Sequence, residues 1–308
     1  MVEQVKVIAD ASFPLDGILT LPDSDAESFP AVVFVHGSGP LDKDESIGAT
    51  KLFRDLADGF AEKGIASLRY DKRTLIYGRQ MVEKGAGNVT VESETIEDAI
   101  AAVSLVKSHP RIDPGRVFIA GHSMGGMLAP RIDAEGADLA GYVILAGTMR
   151  SLDEVIMDQN ADAMERLPVD QQAAAIPLIK ALKEKFDAIA GMSEEEAKRT
   201  VLSGSIYAWY LKEMKEHPIP EYLLKTDKPC FVLQGDKDVQ VSAEKDFNQY
   251  QRILSGRENA KCKLYPGLNH LFMKAVYGNI NQVLDEYKIP QTVDANVLID
   301  ISEWILTA

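Results

Sequence analysis

Short apolar runs recur along this chain, and each is apolar at consecutive positions rather than at alternate ones. Strands that are apolar on both faces are typical of a parallel sheet that helices cover on each side. Between the runs, apolar residues return every three or four positions, which is the spacing of an amphipathic helix. This alternation predicts an α/β fold with an open, mostly parallel, doubly wound sheet. The runs lie at 31–35, 65–69, 117–120, 142–146 and 230–233.

The helical periodicity also gives approximate helix limits. Gly64 is a stop signal for the first helix, and Pro110 requires the second to end before it. Near the N-terminus, residues 5–8 and 15–21 predict two antiparallel strands that lead into the sheet. The predicted helices lie at 52–60, 96–106 and 293–306.

Residues 151–225 interrupt the alternation of strands and helices. This segment is helix-rich and charged, and no strand-like run is apparent in it. We therefore predict one α/β core, formed by residues 1–150 and 226–308, with residues 151–225 inserted as a helical cap. A cap of about 75 residues lies within the ordinary size range of such units.

The charge balance restricts the partners of the chain. It has 33 basic and 47 acidic residues and a net charge of -14. Such a surface repels phosphate backbones and anionic lipid headgroups, so neither nucleic acid nor a membrane is expected as a partner. The N-terminus lacks the pattern of a signal peptide, and no stretch is long and apolar enough to span a membrane. We expect a cytoplasmic protein that acts on a small uncharged molecule; a homodimer is one alternative for its oligomeric state.

No metal and no organic cofactor are predicted. The two cysteines, Cys230 and Cys262, are too few for a four-thiolate site, and we interpret them as reduced thiols packed in strands. Asp42, Asp44 and Glu45 form an acidic run without an accompanying histidine. We expect this run to be a solvated loop beside the mouth of the site, paired with Lys72 or Arg73.

One pentapeptide has the signature of an activated serine. Residues 121–125 read Gly-His-Ser-Met-Gly, which fits Gly-x-Ser-x-Gly. They follow the strand predicted at 117–120 and precede a helix-competent stretch at 127–134, the strand–turn–helix setting that this motif requires. Larger residues at the flanking glycines would collide across the tight turn. We predict Ser123 as the nucleophile, against the alternative of an ordinary glycine-rich turn.

A serine hydroxyl needs a base and an acid that orients it. Among the five histidines, His270 lies in a turn after the last predicted strand and is the best candidate for the base. Within the motif, His122 would point away from Ser123. The other three fit a loop-shaping position, a helix end and the charged segment, and are His36, His109 and His217.

The acid should follow the preceding strand, where both Asp236 and Asp238 are available. We favour Asp238, because the loop needs a residue or two after Gly235 to reach back over the sheet edge. Asp236 is then expected to cap a turn.

Hydrolysis also requires hydrogen-bond donors for the oxyanion that develops on the substrate. The backbone N–H of Met124, next to the nucleophile, is one candidate. The second is expected in the loop at 36–40, after the first long strand. Its best candidate is the backbone N–H of Ser38, with Gly39 as the alternative.

Four segments together resemble the α/β-hydrolase superfamily, namely 36–40, 121–126, 234–238 and 267–270. Within it the chain resembles bacterial esterases related to the prolyl-oligopeptidase catalytic domain and to dienelactone hydrolases, including cinnamoyl and feruloyl esterases. Residues 69–73, Arg-Tyr-Asp-Lys-Arg, fit that group as well. The resemblance implies Ser123 as nucleophile, His270 as base and Asp238 as its orienter. It also implies Ser38 and Met124 as oxyanion donors.

The leading hypothesis is a serine carboxylesterase that forms an acyl-enzyme on small or medium acyl esters, including aryl or cinnamoyl esters. A peptidase or amidase is the alternative, although only about thirty residues precede the first long strand, which disfavours the large propeller of the peptidases in that group. A non-catalytic binding protein is a third hypothesis. Tyr207, Trp209 and Tyr210 either line an acyl or aryl pocket or pack the cap onto the core.

Overall fold

The structure is a computed structural model that describes residues 1–83, 85–203 and 206–308. The strands in chain order are β1 (Val2–Val7), β2 (Leu15–Thr20), β3 (Phe29–Val35), β4 (Ser46–Ile47), β5 (Thr50–Lys51), β6 (Ala66–Tyr70), β7 (Ile112–His122), β8 (Gly141–Leu145), β9 (Val201–Ser203), β10 (Ile206–Tyr207), β11 (Cys230–Gly235) and β12 (Ala260–Tyr265). Eight of them form the central sheet, in the order β1-β2-β6-β3-β7-β8-β11-β12. The first two neighbour pairs are antiparallel, and the remaining pairs are parallel.

Helices cover both faces of the sheet, which confirms the predicted α/β class. Alternate residues of β3 point to opposite faces, and both sets are buried. Val33 belongs to the cluster under the helices at 97–107 and 124–132, and Phe34 belongs to the cluster under the helices at 52–62 and 295–307. The α-helices are α1 (Leu52–Glu62), α2 (Arg73–Glu83), α3 (Glu97–Lys107), α4 (Met124–Ile132), α5 (Leu152–Glu165), α6 (Val169–Ala188), α7 (Glu194–Arg199), α8 (Ala208–Glu216), α9 (Ile219–Lys225), α10 (Asn248–Ile253), α11 (Val283–Glu286) and α12 (Ala295–Thr307).

The predicted helix at 96–106 begins one turn earlier than expected. A single wide π-helical turn, Glu92–Ile96, runs directly into α3. That extra turn places Glu94 in a buried position beside the sheet.

The segment between β8 and β11 contains α5 to α9. Its assignment as a helical cap stays a prediction. The expectation that it holds no strand was wrong, because β9 and β10 form a small antiparallel pair. These strands have three and two residues, which is too short for an apolar run to be visible in the sequence. Residues 204 and 205 of this segment lie outside the described residues.

Both cysteines are free thiols on neighbouring strands, with Cys230 in β11 and Cys262 in β12. Within the described ranges, no helix is both long enough and apolar enough to cross a membrane.

The register of the sheet brings the loops of interest to one edge. Val35 at the end of β3 pairs with Gly121 in β7, and His122 pairs with Leu145 at the end of β8. Because these strands are parallel, the segments that follow them leave the sheet side by side. The loop after β3 and the turn after β7 are therefore neighbours.

Candidate active site

Ser123 occupies a strained turn between β7 and α4. Its backbone has φ 52° and ψ −116°, a combination that residues with a side chain rarely adopt. The turn is tight, because a Cβ atom at Gly121 would collide with the carbonyl group of Gly125. The Ser123 N–H donates to the carbonyl oxygen of Leu145 at 2.8 Å, which fixes the turn to β8. The Ser123 side chain is half-buried, just after the carboxyl end of β7.

Asp238 is the aspartate that lies against His270. Its Oδ2 atom is 2.6 Å from His270 Nδ1, and both side chains are buried. The backbone N–H groups of Gln240 and Val241 donate to the other oxygen, Oδ1, at 2.8 and 3.0 Å. A further hydrogen bond of 2.6 Å reaches Oδ2 from Gln234 Nε2. The four donors around this carboxylate hold it in one orientation.

Asp236 has a different place in the same loop. Its Oδ1 atom accepts a hydrogen bond of 2.6 Å from the backbone N–H of Gly267, in the turn that leads to His270. Asp236 therefore caps that turn and faces away from the imidazole.

Ser123 and His270 line one cavity of about 370 Å³. With Nδ1 directed at Asp238, Nε2 is the ring nitrogen that remains for proton exchange with a hydroxyl. Among the described residues, no hydrogen bond joins the Ser123 hydroxyl to His270. Such contacts are often long before a substrate is bound.

The two groups predicted as oxyanion donors lie at the same cavity. Ser38 and Met124 both line it, and Gly39 does so as well, with φ +93°. Met124 is the first residue of α4, so its N–H lacks an intrahelical acceptor, and the helix dipole favours negative charge there. The N–H of Gly37 is already engaged by Glu45 at 2.8 Å, which leaves Ser38 and Gly39 as the candidate donors in this loop.

The acidic run does not form the predicted solvated loop. Glu45 is fully buried, with φ 50°, and its Oε1 atom lies 3.1 Å from His122 Nδ1. The pairing predicted with Lys72 or Arg73 was also wrong. Asp44 pairs with Lys51 and Arg69, at 3.0 and 2.9 Å. Glu45 itself has a left-handed backbone conformation, which directs its side chain inward. Acidic composition alone does not reveal that conformation.

The predicted partners of the acidic run have other carboxylates. Arg73 pairs with Asp98 at 2.6 Å and with Glu97 at 3.2 Å, and Lys72 pairs with Glu94 at 3.1 Å. All of these carboxylates belong to the π-helical turn and to α3, which lie more than twenty residues along the chain.

Both ring nitrogens of His122 have hydrogen-bond partners next to the candidate site. Nδ1 faces Glu45, and Nε2 lies 3.0 Å from the backbone carbonyl oxygen of His270. The ring centroids of His122 and His270 are 4.5 Å apart. Sequence reasoning gave neither Glu45 nor His122 a role.

A buried polar network supports the loop after β3, and it too was missed. Lys72 Nζ donates to the carbonyl oxygen of Gly37 at 2.9 Å. Glu94, the partner of Lys72, accepts a hydrogen bond of 2.5 Å from the Tyr210 hydroxyl. Burial, reinforced by the charge of Glu94, raises the pKa of Tyr210. The available signal was a lysine two residues after the end of a buried strand, where a solvated side chain is unusual.

A second and larger cavity, of about 580 Å³, adjoins the first. Tyr207 and Tyr210 line it, as one of the two interpretations of these aromatic residues predicts. Trp209 packs against the core instead, with Lys198 Nζ 5.3 Å from its ring centroid. The residues shared by the two cavities are Ser38, Gly39, Leu152 and Ile206.

Comparison with known proteins gives the following relationships. The model of the family described as "Serine aminopeptidase, S33" matches residues 27–274. Esterase EstD of Thermotoga maritima is 36% identical over 293 residues, which cover 95% of this chain and 65% of that protein. The chain thus spans just under two thirds of the length of this relative.

Solved structures with the same architecture share little sequence. Est1E from Butyrivibrio proteoclasticus superposes with a TM-score of 0.60 at 16% identity, covering 98% of this chain and 99% of that one. The dienelactone hydrolase of Anabaena variabilis gives 0.55 at 16% identity, with 100% and 97% covered. At this level of identity the likeness establishes the fold alone, which is that of the α/β-hydrolases.

Proposed function

The chain belongs to the serine aminopeptidase S33 family, and we propose that it is a serine carboxylesterase for uncharged esters of small to medium acyl groups. The observation that carries the proposal is the placement of Ser123, at a strained strand–helix turn, in one cavity with His270, whose other ring nitrogen faces Asp238. Strain of this kind persists where the surrounding structure enforces it, commonly at reactive sites. The similarity to an esterase from Thermotoga maritima supports the choice of bond.

In the proposed mechanism, His270 Nε2 takes the proton of Ser123 Oγ as that oxygen attacks the ester carbonyl carbon. The carbonyl oxygen becomes an oxyanion, and backbone N–H groups of Met124 and of Ser38 or Gly39 donate to it. Collapse breaks the bond to the alcohol, which leaves with the proton from His270. Water then attacks the acyl-Ser123 ester by the same route, and the acid is released. Asp238 stabilises the imidazolium in both halves.

The two adjoining cavities supply the proposed specificity. The smaller one holds Ser123, and the larger one is lined in part by apolar side chains such as Met81, Val82 and Val89. Leu152 and Ile206 border both, which supports the proposal that residues 151–225 form a cap over the site. A chain with a net charge of -14 disfavours anionic substrates, and salt should reduce that effect.

The family description favours a second candidate, an aminopeptidase. Recognition of a free α-amino group needs a carboxylate that can accept it. The described carboxylates that line the two cavities already have partners: Glu45 faces His122, Glu83 pairs with Arg79 at 2.9 Å, and Glu94 pairs with Lys72. An esterase is therefore the better fit.

The test compares p-nitrophenyl acetate, butyrate and octanoate with aminoacyl p-nitroanilides. We expect ester hydrolysis to dominate, and Ser123→Ala to lower kcat by about 10⁴-fold or more. The exposed Ser255 offers a matched control, since Ser255→Ala removes a hydroxyl from a surface turn. Activity that survives Ser123→Ala would refute the nucleophile, and faster cleavage of the anilides would favour the aminopeptidase. A fluorophosphonate adduct on Ser123 would separate either enzyme from a binding protein.

A further inference from the structure

Glu45 and His122 connect three backbone segments around the candidate site. Glu45 Oε1 accepts hydrogen bonds from the N–H of Gly37 at 2.8 Å and from His122 Nδ1 at 3.1 Å. On its other side, His122 Nε2 reaches the carbonyl oxygen of His270 at 3.0 Å. Glu45 and His122 are both buried. This pair of side chains thus links the backbone of Gly37, next to Ser38, to the backbone of the proposed base His270. His122 itself is the residue before the proposed nucleophile.

These contacts constrain the protons of His122. A backbone carbonyl has no proton to give, so Nε2 must carry the hydrogen that joins it to His270. A second proton must then lie between Nδ1 and Oε1 of Glu45. It lies on nitrogen in a carboxylate–imidazolium pair, and on oxygen in a neutral pair.

Two observations favour the charged pair. The Gly37 N–H also donates to Oε1, and such a hydrogen bond favours the ionised carboxylate. Burial alone would lower the pKa of His122, but the charge of Glu45 and their hydrogen bond raise it above its usual value. Burial would correspondingly raise the pKa of Glu45, whereas the charge of His122 holds it below its usual value.

We infer that Glu45 and His122 form a buried carboxylate–imidazolium pair that positions the Gly37–Ser38 loop and His270 around Ser123. This inference rests on the proposed function for the role of the three positioned segments, but not for the charge of the pair. The imidazolium lies closer to His270 than the carboxylate does, because the contacts run from Glu45 through His122 to His270. It therefore places a positive charge beside the ring that is proposed to accept the serine proton, with the two ring centroids 4.5 Å apart.

Other titratable groups lie around the pair and the candidate site. Asp238 remains hydrogen-bonded to His270. Burial lowers the pKa of His36, which lies near Glu45, to about 4, so this ring is neutral at assay pH. Lys72 stays paired with Glu94. Burial raises the pKa of Tyr287, whose nearby charges include Asp238, so its hydroxyl is uncharged.

The first experiment measures the protonation of His122 directly and does not depend on activity. In protein labelled with ¹⁵N-histidine, His122 is assigned by the loss of its signals in His122→Asn, or by elimination with variants of the other four histidines. We expect both of its ring nitrogens to be protonated at pH values above the ordinary histidine pKa of about 6.5. A neutral ring in the wild type would overturn the inference, whether or not the protein cleaves esters.

The second experiment uses Glu45→Gln, in which the amide oxygen can still accept from the Gly37 N–H. The carboxylate charge is lost, so the buried His122 should become neutral, and its Nδ1 then no longer donates to residue 45. Because the nearer positive charge disappears from beside His270, the acid limb of the kcat/KM profile should move to higher pH, by about 0.5 to 1 unit. We also expect kcat to fall by about 10- to 100-fold as the loops lose their positions.

The direction of that shift decides between the arrangements. If Glu45 is ionised and His122 is neutral in the wild type, Glu45→Gln removes a negative charge and the acid limb moves to lower pH. If both groups are neutral, Glu45→Gln leaves the acid limb in place. Either result would contradict the inference. Asp44→Asn is the matched control, since it removes the neighbouring acid, which pairs with Lys51 and Arg69. It should leave the limb where it is. If Glu45→Gln does not fold, the ¹⁵N measurement on the wild type still decides.

Discussion

The ammonium group of Lys72 donates a hydrogen bond to the carbonyl oxygen of Gly37 at 2.9 Å, so a buried cation supports the loop that leads to Ser38. The same nitrogen lies 3.1 Å from Oε1 of Glu94. Glu94 also accepts from the Thr74 hydroxyl at 3.1 Å and from the Tyr210 hydroxyl. Lys72 thereby connects the end of β6, the loop after β3 and α8 in one network.

Replacing Lys72 with methionine should destabilise the fold strongly. The apolar chain fits the same space, but Glu94 is left as a buried charge without its cation. We expect Lys72→Met to lower the free energy of unfolding by about 3–5 kcal/mol, measured by urea denaturation. Adding Glu94→Gln removes the unpaired charge and should recover at least half of that loss. If Lys72→Met alone is as stable as Lys72→Met with Glu94→Gln, the unpaired charge of Glu94 does not destabilise the fold and the prediction is wrong.

The two aspartates of the β11 loop should differ sharply when each is changed to asparagine. Asp238→Asn should lower kcat by about 10³- to 10⁴-fold, because an amide no longer stabilises the imidazolium or fixes its tautomer. Asp236→Asn weakens one hydrogen bond, to the N–H of Gly267, and should cost less than about tenfold. Ester hydrolysis by the two variants provides the measurement, and the reverse order would place the orienting role on Asp236.

The features of this candidate site that could be predicted from the sequence are those that depend on local chemistry. Gly121 and Gly125 mark the strained turn, and the position of His270 after the last predicted strand is readable from the pattern of strands. The choice between Asp236 and Asp238 rested on the length of loop needed after Gly235. It needed the loop geometry, in which each carboxylate faces a different group.

The positioning groups were not predictable, because their partners are distant along the chain. Glu45 meets His122 at a separation of 77 residues, and Lys72 meets Glu94, which a π-helical turn carries inward. In a sequence, a buried glutamate and a solvated one look alike. The pair β9–β10 was missed for another reason, since strands of two or three residues are shorter than any periodicity.

The strained backbone of Ser123 makes a prediction about stability. At an ordinary position alanine is favoured over glycine by about 0.5–1 kcal/mol, because glycine loses more entropy on folding. With φ 52° and ψ −116°, a Cβ atom is strained and glycine is not. We therefore expect Ser123→Gly to be more stable than Ser123→Ala by about 1 kcal/mol, although both lack the hydroxyl. Thermal unfolding of the two variants tests this, and the ordinary order would show that the turn carries no strain.

His36 should make the stability of the protein depend on pH. Its ring is buried against Phe53 and Tyr70, and Nε2 donates to the carbonyl oxygen of Asp42 at 3.0 Å. Burial lowers the pKa of His36 to about 4, against an ordinary value of 6.5. As the pH falls, the unfolded chain takes up the proton first. This contribution to stability is therefore complete above 6.5 and is lost between 6.5 and 4.

The matched variant is His36→Gln, whose amide can donate to the same carbonyl oxygen but does not titrate. Between about pH 7.5 and about pH 5, the wild type should lose about 2 kcal/mol more of its unfolding free energy than the variant does. Urea denaturation of both proteins at the two pH values gives this difference, and groups common to both cancel. Equal losses would mean that the pKa of His36 in the folded protein is close to its ordinary value, which the burial of the ring opposes.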